Sequence, residues 1–291
     1  MALSRVAGIN RDATAIQASR MRYPGPGSAP AVVLASDRTF PDALAGTPLA
    51  IAAHGPLLLT PPTGSAEATL AEIQRVLTPG GTVYVLGGES AVSATADTTL
   101  RRLDYAVVRL AGATRYDTAV AIAAALGDPT TVVEVTGTNF ADGVSAGSAV
   151  ASLHGAILLT DGSSPDSATQ AYLAAHIADT RYAVGGPACA GDPTATCLSG
   201  ASRYDTSVLV AQQFFPSPSA VGFASGASFP DALSGGASVG AGGQPLILVP
   251  PTGELPSSLV AYLTTNASTL TSGAVFGGVA AVDNVVASEL Q

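Results

Sequence analysis

The stretch Gly112-Ala-Thr-Arg115-Tyr-Asp-Thr118 decides the fold, because a chain of 291 residues contains it three times in related form. Its counterparts are Gly8-Ile-Asn-Arg11-Asp-Ala-Thr14 and Gly200-Ala-Ser-Arg203-Tyr-Asp-Thr206. We call these three segments the arginine loops. Self-similarity over long intervals is typical of tandem copies of one structural unit. The sequence therefore predicts three repeats, named here the first, second and third copies.

Three further landmarks follow each arginine loop in the same order. A Phe-x-Asp segment occurs as Thr39-Phe-Pro-Asp42, Asn139-Phe-Ala-Asp142 and Ser228-Phe-Pro-Asp231. An apolar run occurs as Pro56-Leu-Leu-Leu-Thr60, Ala156-Ile-Leu-Leu-Thr160 and Pro245-Leu-Ile-Leu-Val249, and a glycine pair occurs as Gly87-Gly88, Gly185-Gly186 and Gly277-Gly278. The Asp precedes the middle of the apolar run by sixteen residues in every copy, which excludes chance repetition.

Short apolar segments alternate with helical patterns within each copy. In the first copy, strands are predicted at 32–36, 57–60 and 82–86, and helices at 41–54, 65–77 and 93–103. Strands separated by helices pair in parallel, and continuously apolar strands are typical of a sheet that is covered on both faces. The prediction is an α/β fold of three tandem Rossmann-like repeats, each an open parallel sheet with helices on both faces, packed as a pseudo-threefold intramolecular trimer. The predicted domains are 1–108, 109–196 and 197–291.

Cys189 and Cys197 are the only cysteines. The second copy is shorter than the first after its glycine pair, and the cysteine segment takes the place of the helix predicted at 93–103. A spacing of eight residues without a nearby His favours a loop-closing disulfide over a metal site, with two unpaired thiols as the alternative. Because disulfides persist outside the cytosol, this pair favours export.

Charge and composition exclude several classes of protein. The net charge is −9, and the twelve basic residues are all Arg and are scattered, so binding to nucleic acid or to an anionic membrane is not expected. No apolar run approaches the roughly 18 residues of a membrane helix. Residues 1–5 do not resemble a secretion signal, so any such signal is expected to be missing from this sequence. The absence of Lys, with abundant Ala and Gly, suggests the GC-rich genome of an actinobacterium.

The repeated landmarks closely resemble the cell wall binding repeat 2 family over nearly the whole chain. The resemblance implies a noncatalytic module whose three α/β repeats associate within one chain and anchor surface proteins noncovalently on an anionic wall polymer, with no cofactor. It also implies a secreted, cell-surface location and fusion to, or association with, another surface domain such as a hydrolase or an adhesin. The first copy departs from the pattern, because it has Asp12-Ala13 where the others have Tyr116-Asp117 and Tyr204-Asp205.

The candidate polymer-binding residues lie in the arginine loops and the Phe-x-Asp segments. They are Arg11, Arg115, Arg203, Tyr116, Tyr204, Asp42, Asp142 and Asp231. Each arginine could bind a phosphate or carboxylate of the polymer, or could instead pair with a landmark Asp. Each landmark Asp has the spacing of a helix capping box, which is the structural alternative to ligand binding. We expect Arg115 and Arg203 to contribute more than Arg11.

Three other patterns suggest enzymes or metal sites, but each has a simpler explanation. Gly143-Val-Ser145-Ala-Gly147 has the G-x-S-x-G pattern, but it falls within a predicted helix and not directly after a strand. No copy completes a dinucleotide-binding turn, and a P-loop requires Lys. His54 and His154 lie at predicted helix ends, so no metal site is expected. The alternatives to anchoring are a degenerate Rossmann-like enzyme with an inter-repeat cleft and a structural surface-layer protein.

Overall fold

The computed structural model describes residues 1–64 and 66–291 and has thirteen strands and twelve helices in that part of the chain. The strands are β1 (Ala2–Val6), β2 (Ala29–Ser36), β3 (Leu57–Thr60), β4 (Leu77–Leu86), β5 (Ala106–Leu110), β6 (Thr131–Thr136), β7 (Ala156–Asp161), β8 (Ser164–Pro165), β9 (Thr180–Val184), β10 (Thr196–Leu198), β11 (Ala220–Ser225), β12 (Leu246–Val249) and β13 (Ser272–Phe276). The helices are α1 (Arg11–Arg22), α2 (Pro41–Ala52), α3 (Glu67–Val76), α4 (Ala94–Arg102), α5 (Arg115–Ala125), α6 (Ala141–Ser152), α7 (Ser167–Ala175), α8 (Gly186–Gly191), α9 (Arg203–Phe214), α10 (Pro230–Gly240), α11 (Ser257–Thr265) and α12 (Asn284–Glu289).

The strands form three sheets. Their orders are β3-β2-β4-β5, β10-β9-β6-β7-β8 and β1-β13-β11-β12. The short strand β8 is antiparallel to β7, and the other pairings among the described residues are parallel. The expectation of an α/β fold with parallel sheets is therefore confirmed.

The third sheet is completed by the first strand of the chain. β1 pairs in parallel with β13, so that Ala2 is opposite Ser272 and Val6 is opposite Phe276. β5 and β10 have the same position at the edge of the first and second sheets. After each of these edge strands the chain crosses to a different sheet, because α1, α5 and α9 contact β3, β7 and β12. The first and third copies are thus joined by strand pairing.

Both faces of each sheet are covered by apolar side chains. In β2, Val33 and Ala35 belong to the largest core cluster, whereas Val32 and Leu34 belong to a separate cluster with the residues of α3 and α4. This division follows from the alternation of side chains along a strand. The large cluster contains α2, α6 and α10, which contact one another, and we call it the inner core. The separate clusters on the opposite faces are the outer cores.

Small residues allow the three inner helices to approach closely. A Cβ added to Gly143 would lie 2.6 Å from Leu44 Cδ2, and one added to Gly147 would lie 2.7 Å from Thr47 Cγ2. Real Cβ atoms do not approach neighbours this closely, so both positions in α6 require glycine unless α2 moves away. This confirms that the glycines of the G-x-S-x-G pattern serve helix packing.

Most predicted elements of the first copy are present. The strand at 57–60 is confirmed, and the helix at 93–103 is confirmed as α4 with Ser93 and Leu103 as its capping residues. Two boundaries were wrong, because β2 begins at Ala29 and β4 begins at Leu77. The predicted helix at 65–77 corresponds to α3, but its first residue lies outside the described residues.

The predicted disulfide is present. Cys189 in α8 is bonded to Cys197 in β10, with the two Cα atoms 5.2 Å apart. Between α8 and β10 the second copy has no counterpart of α4, so the disulfide lies where the first copy has that helix. Within the described residues, no helix combines the length and the apolar character that crossing a membrane would require.

Candidate functional site

Three phenylalanines bring the copies together at one point. Phe40, Phe140 and Phe229 directly precede α2, α6 and α10, and their ring centroids are 5.9 to 6.1 Å apart. The rings are tilted or edge-on, which is the favourable arrangement for aromatic pairs. We call them the phenylalanine triad. Because each ring comes from a different copy, the triad marks the place where all three copies meet.

The three candidate arginines surround the phenylalanine triad. The guanidinium carbons of Arg11, Arg115 and Arg203 lie 5.8, 6.0 and 5.7 Å from the ring centroids of Phe229, Phe40 and Phe140, respectively. These are cation–π distances. Each arginine starts a helix of one copy and contacts the ring of another, so the arginines lie at the junctions between copies.

Each candidate arginine donates one hydrogen bond to a backbone oxygen of its own copy. The acceptors of Arg11, Arg115 and Arg203 Nη1 are the oxygens of Asp37, Gly137 and Gly226, at 2.6, 2.5 and 2.5 Å. Among residues 1–64 and 66–291, no carboxylate oxygen lies within 4.0 Å of these three guanidinium groups. The predicted alternative, a direct ion pair with a landmark Asp, is therefore not formed. A guanidinium has five N–H donors, so each arginine keeps donors for a ligand.

The landmark aspartates do not cap helices, so that prediction was wrong. The N-cap positions of α2, α6 and α10 are held by the phenylalanines, whose side chains make no capping hydrogen bond. At the start of α6, the Asn139 side chain accepts from the Ala141 amide at 3.1 Å. The carboxyl groups of Asp42, Asp142 and Asp231 instead contact the first glycine of each glycine pair. Those glycines have φ values of +83°, +91° and +106°, and a Cβ there would collide with the carboxyl group. The helix starts one residue later than the capping box requires.

The landmark aspartates have similar electrostatic environments in the three copies. Burial raises the pKa of Asp42, and the positive charge of Arg115 opposes the increase. Burial likewise raises the pKa of Asp142 and Asp231, against hydrogen bonds from nearby threonines and the charges of Arg203 and Arg11. The aspartates thus lie close enough to influence the arginines electrostatically without pairing with them.

The candidate tyrosines lie half-buried beside the arginines. A Cβ on Gly137 would lie 3.0 Å from Tyr116 Cε1, and a Cβ on Gly226 would lie 2.6 Å from Tyr204 Cε1. A side chain in place of either glycine would therefore require the facing tyrosine ring to shift, by more at Gly226 than at Gly137. Burial, followed by the charge of Asp161, raises the pKa of Tyr116. The first copy has Asp12 in place of the tyrosine.

Side chains cap the helices that begin with the candidate arginines. Thr114 and Asp117 form a capping box at the start of α5, and the hydrogen bonds from Thr114 lower the pKa of Asp117. Ser202 caps α9 by accepting from the Asp205 amide. In α1, Asn10 takes the place of Thr114 and Ser202 as the N-cap and accepts from the amide of Ala13, which stands where the other copies have the aspartate, at 2.8 Å. These caps hold each arginine at the first helical position.

A cleft lies at the junction of the third and first copies. It has a volume of about 230 Å³ and is lined by residues of the first arginine loop together with Ser228, Pro230 and Asp231. Arg11 provides its positive charge. A second cleft, of about 270 Å³, is lined mainly by apolar residues of α11 and the chain ends and lies away from the arginines. The first cleft therefore combines the opposite charges of Arg11 and Asp231, whereas the second is mainly apolar.

The other sequence patterns do not assemble a site. Ser145 is 1% exposed inside α6 and donates to the backbone oxygen of Asp142 at 2.9 Å, so it is not on a nucleophile elbow. His54 and His154 have positive φ values directly after α2 and α6. His176 stacks on Tyr172. The described residues contain no group of three potential metal ligands.

The role of the phenylalanine triad was not predicted from the sequence. Phe40, Phe140 and Phe229 were visible as part of a repeated segment, and their presence in every copy was the signal that could have identified them. A repeated aromatic residue next to a helix start has many uses, so the mutual contact required the tertiary structure.

The model of the family "Cell wall binding domain 2 (CWB2)" matches three segments of the chain, residues 5–97, 109–192 and 198–287. The chain belongs to this family. Each matched segment contains one landmark Asp and one member of the phenylalanine triad. The cell wall binding domain therefore accounts for nearly the whole chain, which is a cell wall binding module.

A curated relative and two solved structures are similar to this cell wall binding domain. The N-acetylmuramoyl-L-alanine amidase LytC of Bacillus subtilis (strain 168) is 30% identical over 252 residues, which cover 84% of this chain and 50% of LytC. Cwp8 and Cwp6 from Clostridium difficile have TM-scores of 0.88 and 0.84 and 24% identity, and the match covers 100% of this chain and 51% and 48% of theirs. The structural likeness shows a shared fold. The chain spans about half the length of these proteins.

Proposed function

We propose that this cell wall binding domain holds a parent protein noncovalently on an anionic polymer of the cell envelope. The observation that carries the proposal is the group of three arginines around the phenylalanine triad, in a chain whose net charge is −9. An acidic protein can hold a polyanion only where positive charge is locally unopposed. No carboxylate within the described residues lies within 4.0 Å of these arginines.

The arrangement of the three copies supports this proposal. We infer a pseudo-threefold intramolecular trimer of Rossmann-like repeats, with domains at 1–108, 109–196 and 197–291. The mutual contacts of α2, α6 and α10 and the near-equal distances within the phenylalanine triad favour it. Three related sites in one molecule increase avidity, because a polymer bound at one site has a raised effective concentration at the next.

In this proposal the three arginines contribute unequally to polymer binding. Arg115 and Arg203 are the main ligands, with Tyr116 and Tyr204 offering ring faces and hydroxyl groups to sugar units beside them. Arg11 contributes less because its neighbour in the sequence is an acid. The landmark aspartates Asp42, Asp142 and Asp231 shape the floor of each site through the glycine pairs and also offer hydrogen-bond acceptors to polymer hydroxyl groups.

The parent protein is exported, and its effector lies outside this chain. The disulfide between Cys189 and Cys197 favours an oxidising compartment. Because the chain covers only half of LytC, Cwp8 and Cwp6, a fused surface domain such as a hydrolase is part of the proposal. The alternatives are a degenerate enzyme that uses an inter-repeat cleft and a surface-layer protein that self-assembles.

A pulldown with purified cell walls tests the proposal. The domain should bind intact walls and should lose binding after chemical removal of the anionic polymers. The Arg115→Gln/Arg203→Gln variant should bind about tenfold more weakly, which is roughly the loss of one to two charge-assisted hydrogen bonds, and should have a weaker dependence on salt.

The matched control is Arg101→Gln/Arg102→Gln, because it removes the same charge from exposed positions of α4. This control should bind like the wild type. Equal binding to stripped walls would exclude an anionic polymer. If the control weakened wall binding as much as Arg115→Gln/Arg203→Gln does, binding would depend on net charge and not on the arginine sites.

A further inference from the structure

The first copy has two buried carboxyl groups where the other copies have a tyrosine and a glycine. Asp12 takes the position of the site tyrosine, and Asp37 takes the position of the glycine that faces it. In the second copy a Cβ at position 137 would lie 3.0 Å from Tyr116 Cε1, so the ring would have to shift to accommodate a side chain there. A side chain at position 37 fits more easily when position 12 has the shorter Asp in place of Tyr. The replacement of Tyr by Asp12 and the replacement of Gly by Asp37 are therefore coupled.

The two carboxyl groups lie beside Arg11 without strong partners. Asp12 is 9% exposed and Asp37 is 6% exposed. Asp12 Oδ1 has no hydrogen-bond partner in the described part of the chain. Asp37 Oδ1 lies 3.3 Å from Arg38 Nε in an orientation that makes an ion pair but no hydrogen bond, and the Arg38 side chain is 69% exposed. Two carboxyl groups in one buried place resist simultaneous ionisation.

The surrounding elements supply few other charges to this place. The elements that contact α1 are α10, β3, α3 and β1. On α10, the nearest charged group is Asp231, which faces Thr14. On α3, Glu72 accepts from Ser19, Arg20 and Arg75. On β1, Arg5 donates to the backbone oxygens of Gly277 and Val282. The charges that act on Asp12 are those of Asp37, Arg11 and Arg38.

We propose that the anion site beside Arg11 is controlled by a proton on the buried carboxyl group of Asp12, which removes negative charge from the site when it is bound. This regulation rests on the proposed function, because Arg11 must contact the anionic polymer. When Asp12 is protonated, its carboxyl group does not compete with the ligand for the guanidinium of Arg11. When Asp12 is ionised, its charge repels the ligand and weakens the site.

The direction and the range of the pH dependence follow from Asp12. Burial, and then the charge of Asp37, raise the pKa of Asp12 to about 6, against the charges of Arg11 and Arg38. The carboxyl group is therefore neutral below about pH 6 and ionised above it. Affinity at this site should be high in mild acid and should decrease as the pH rises through about 6.

The other two arginine sites are the internal reference. They have a tyrosine and a glycine in place of the carboxyl pair, and a tyrosine does not ionise near pH 6. The landmark aspartates also have raised pKa values, but one is present at each site, so their effect is common to all three. A difference between the first site and the others therefore reports on Asp12 and Asp37.

The test isolates the first site. In an Arg115→Gln/Arg203→Gln background, binding of inorganic polyphosphate is measured by calorimetry at constant ionic strength between about pH 5 and pH 7.5. Affinity should decrease about threefold over this range, as expected for one added charge at roughly 8 Å in a largely aqueous site. In the same background, Asp12→Tyr/Asp37→Gly should give the weaker pH dependence of the reference sites. Carboxyl carbon NMR of Asp12 in the unsubstituted domain, without ligand, should show its titration near pH 6.

The outcomes separate this inference from the proposed function. If the unsubstituted domain binds walls and polyphosphate but the Asp12→Tyr/Asp37→Gly replacement leaves the pH dependence unchanged, proton control is wrong and the anchoring proposal stands. If the unsubstituted domain does not bind either polyanion, the anchoring proposal is wrong. If Asp12 titrates near its ordinary value, proton control is wrong whatever the binding. Circular dichroism on each variant, with Asp12→Asn as a second and less disruptive replacement, excludes misfolding as the cause.

Discussion

The inner and outer cores of the three sheets differ in how much they vary between copies. The inner core repeats closely, since each copy supplies one helix, one triad phenylalanine and one arginine. The outer core has α4 in the first copy, the disulfide and α8 in the second, and α12 in the third. An inner residue contacts two other copies, so a replacement must fit both. An outer residue needs to fit only its own copy.

One position shows the contrast within a single strand. Leu34 in β2, Glu134 in β6 and Phe223 in β11 face the outer cores, whereas their neighbours Val33 and Val133 face the inner core. Glu134 is fully buried, and Asp192 at the end of α8 and Arg181 in β9 lie beside it. The outer core can therefore accept a buried acid, whose protonated form is favoured by burial and by Asp192.

The largest expected effect is overpacking of the inner core. Gly147→Val should lower the free energy of unfolding by about 3 kcal/mol, because the new side chain overlaps with Thr47 in a close-packed helix pair. Urea titration measures the change. The control Ala174→Val introduces the same side chain at an exposed position of α7 and should change stability by less than about 0.5 kcal/mol. A tolerated Gly147→Val would show that the inner core is not more constrained than the outer one.

The next effect belongs to the outer core of the second copy. Cys189→Ser/Cys197→Ser should lower the free energy of unfolding by about 2.5 kcal/mol, because the short loop regains entropy in the unfolded chain. Amide exchange should increase in α8 and β10 and should remain slow in α2, α6 and α10. Binding to walls should persist below the melting temperature. Loss of binding at an unchanged melting temperature would assign the disulfide to the site.

The third effect comes from the buried acid Glu134, and its size depends on pH. Burial, followed by hydrogen bonding to Asp192 and the charge of Asp192, raises the pKa of Glu134 to about 8, so the folded state favours the protonated acid. The corresponding stability is fully present below the unfolded pKa of about 4.5 and is lost as the pH rises to about 8. Glu134→Leu, the residue of the first copy, should raise the free energy of unfolding at pH 8 by about 2 kcal/mol.

Denaturant titrations between about pH 5 and pH 9 check this prediction. The wild type should lose stability over the range in comparison with Glu134→Leu. Glu134→Gln is the matched control, because it keeps a hydrogen-bond donor for Asp192 and cannot ionise. Parallel pH profiles for the wild type and Glu134→Gln would contradict the assignment.

The smallest expected effect concerns the arginines themselves. Arg203→Gln should cost about 1 kcal/mol of stability, because it removes a cation–π contact with Phe140 and one hydrogen bond at the edge of the inner core. Thermal unfolding measures it. A cost comparable to that of Gly147→Val would show that Arg203 is mainly structural, which would weaken its assignment as a ligand.

The repeats, most elements of the first copy and the disulfide could be predicted from the sequence. They depend on residues that are close together along the chain or on a pattern that recurs, such as the apolar run at 57–60 and the eight-residue spacing of Cys189 and Cys197. The capping of α5 by Thr114 and Asp117 was predictable for the same reason, since a capping box is a local arrangement.

Only the tertiary structure decided which distant residues meet. The same capping argument failed for the landmark aspartates, because Asp42 contacts Gly87 from another part of the sheet. The pairing of β1 with β13, the contact of Arg115 with Phe40 and the replacement of Tyr and Gly by Asp12 and Asp37 also join residues far apart in sequence. Local pattern determines the elements, but the choice among distant partners depends on how three copies fill one common core.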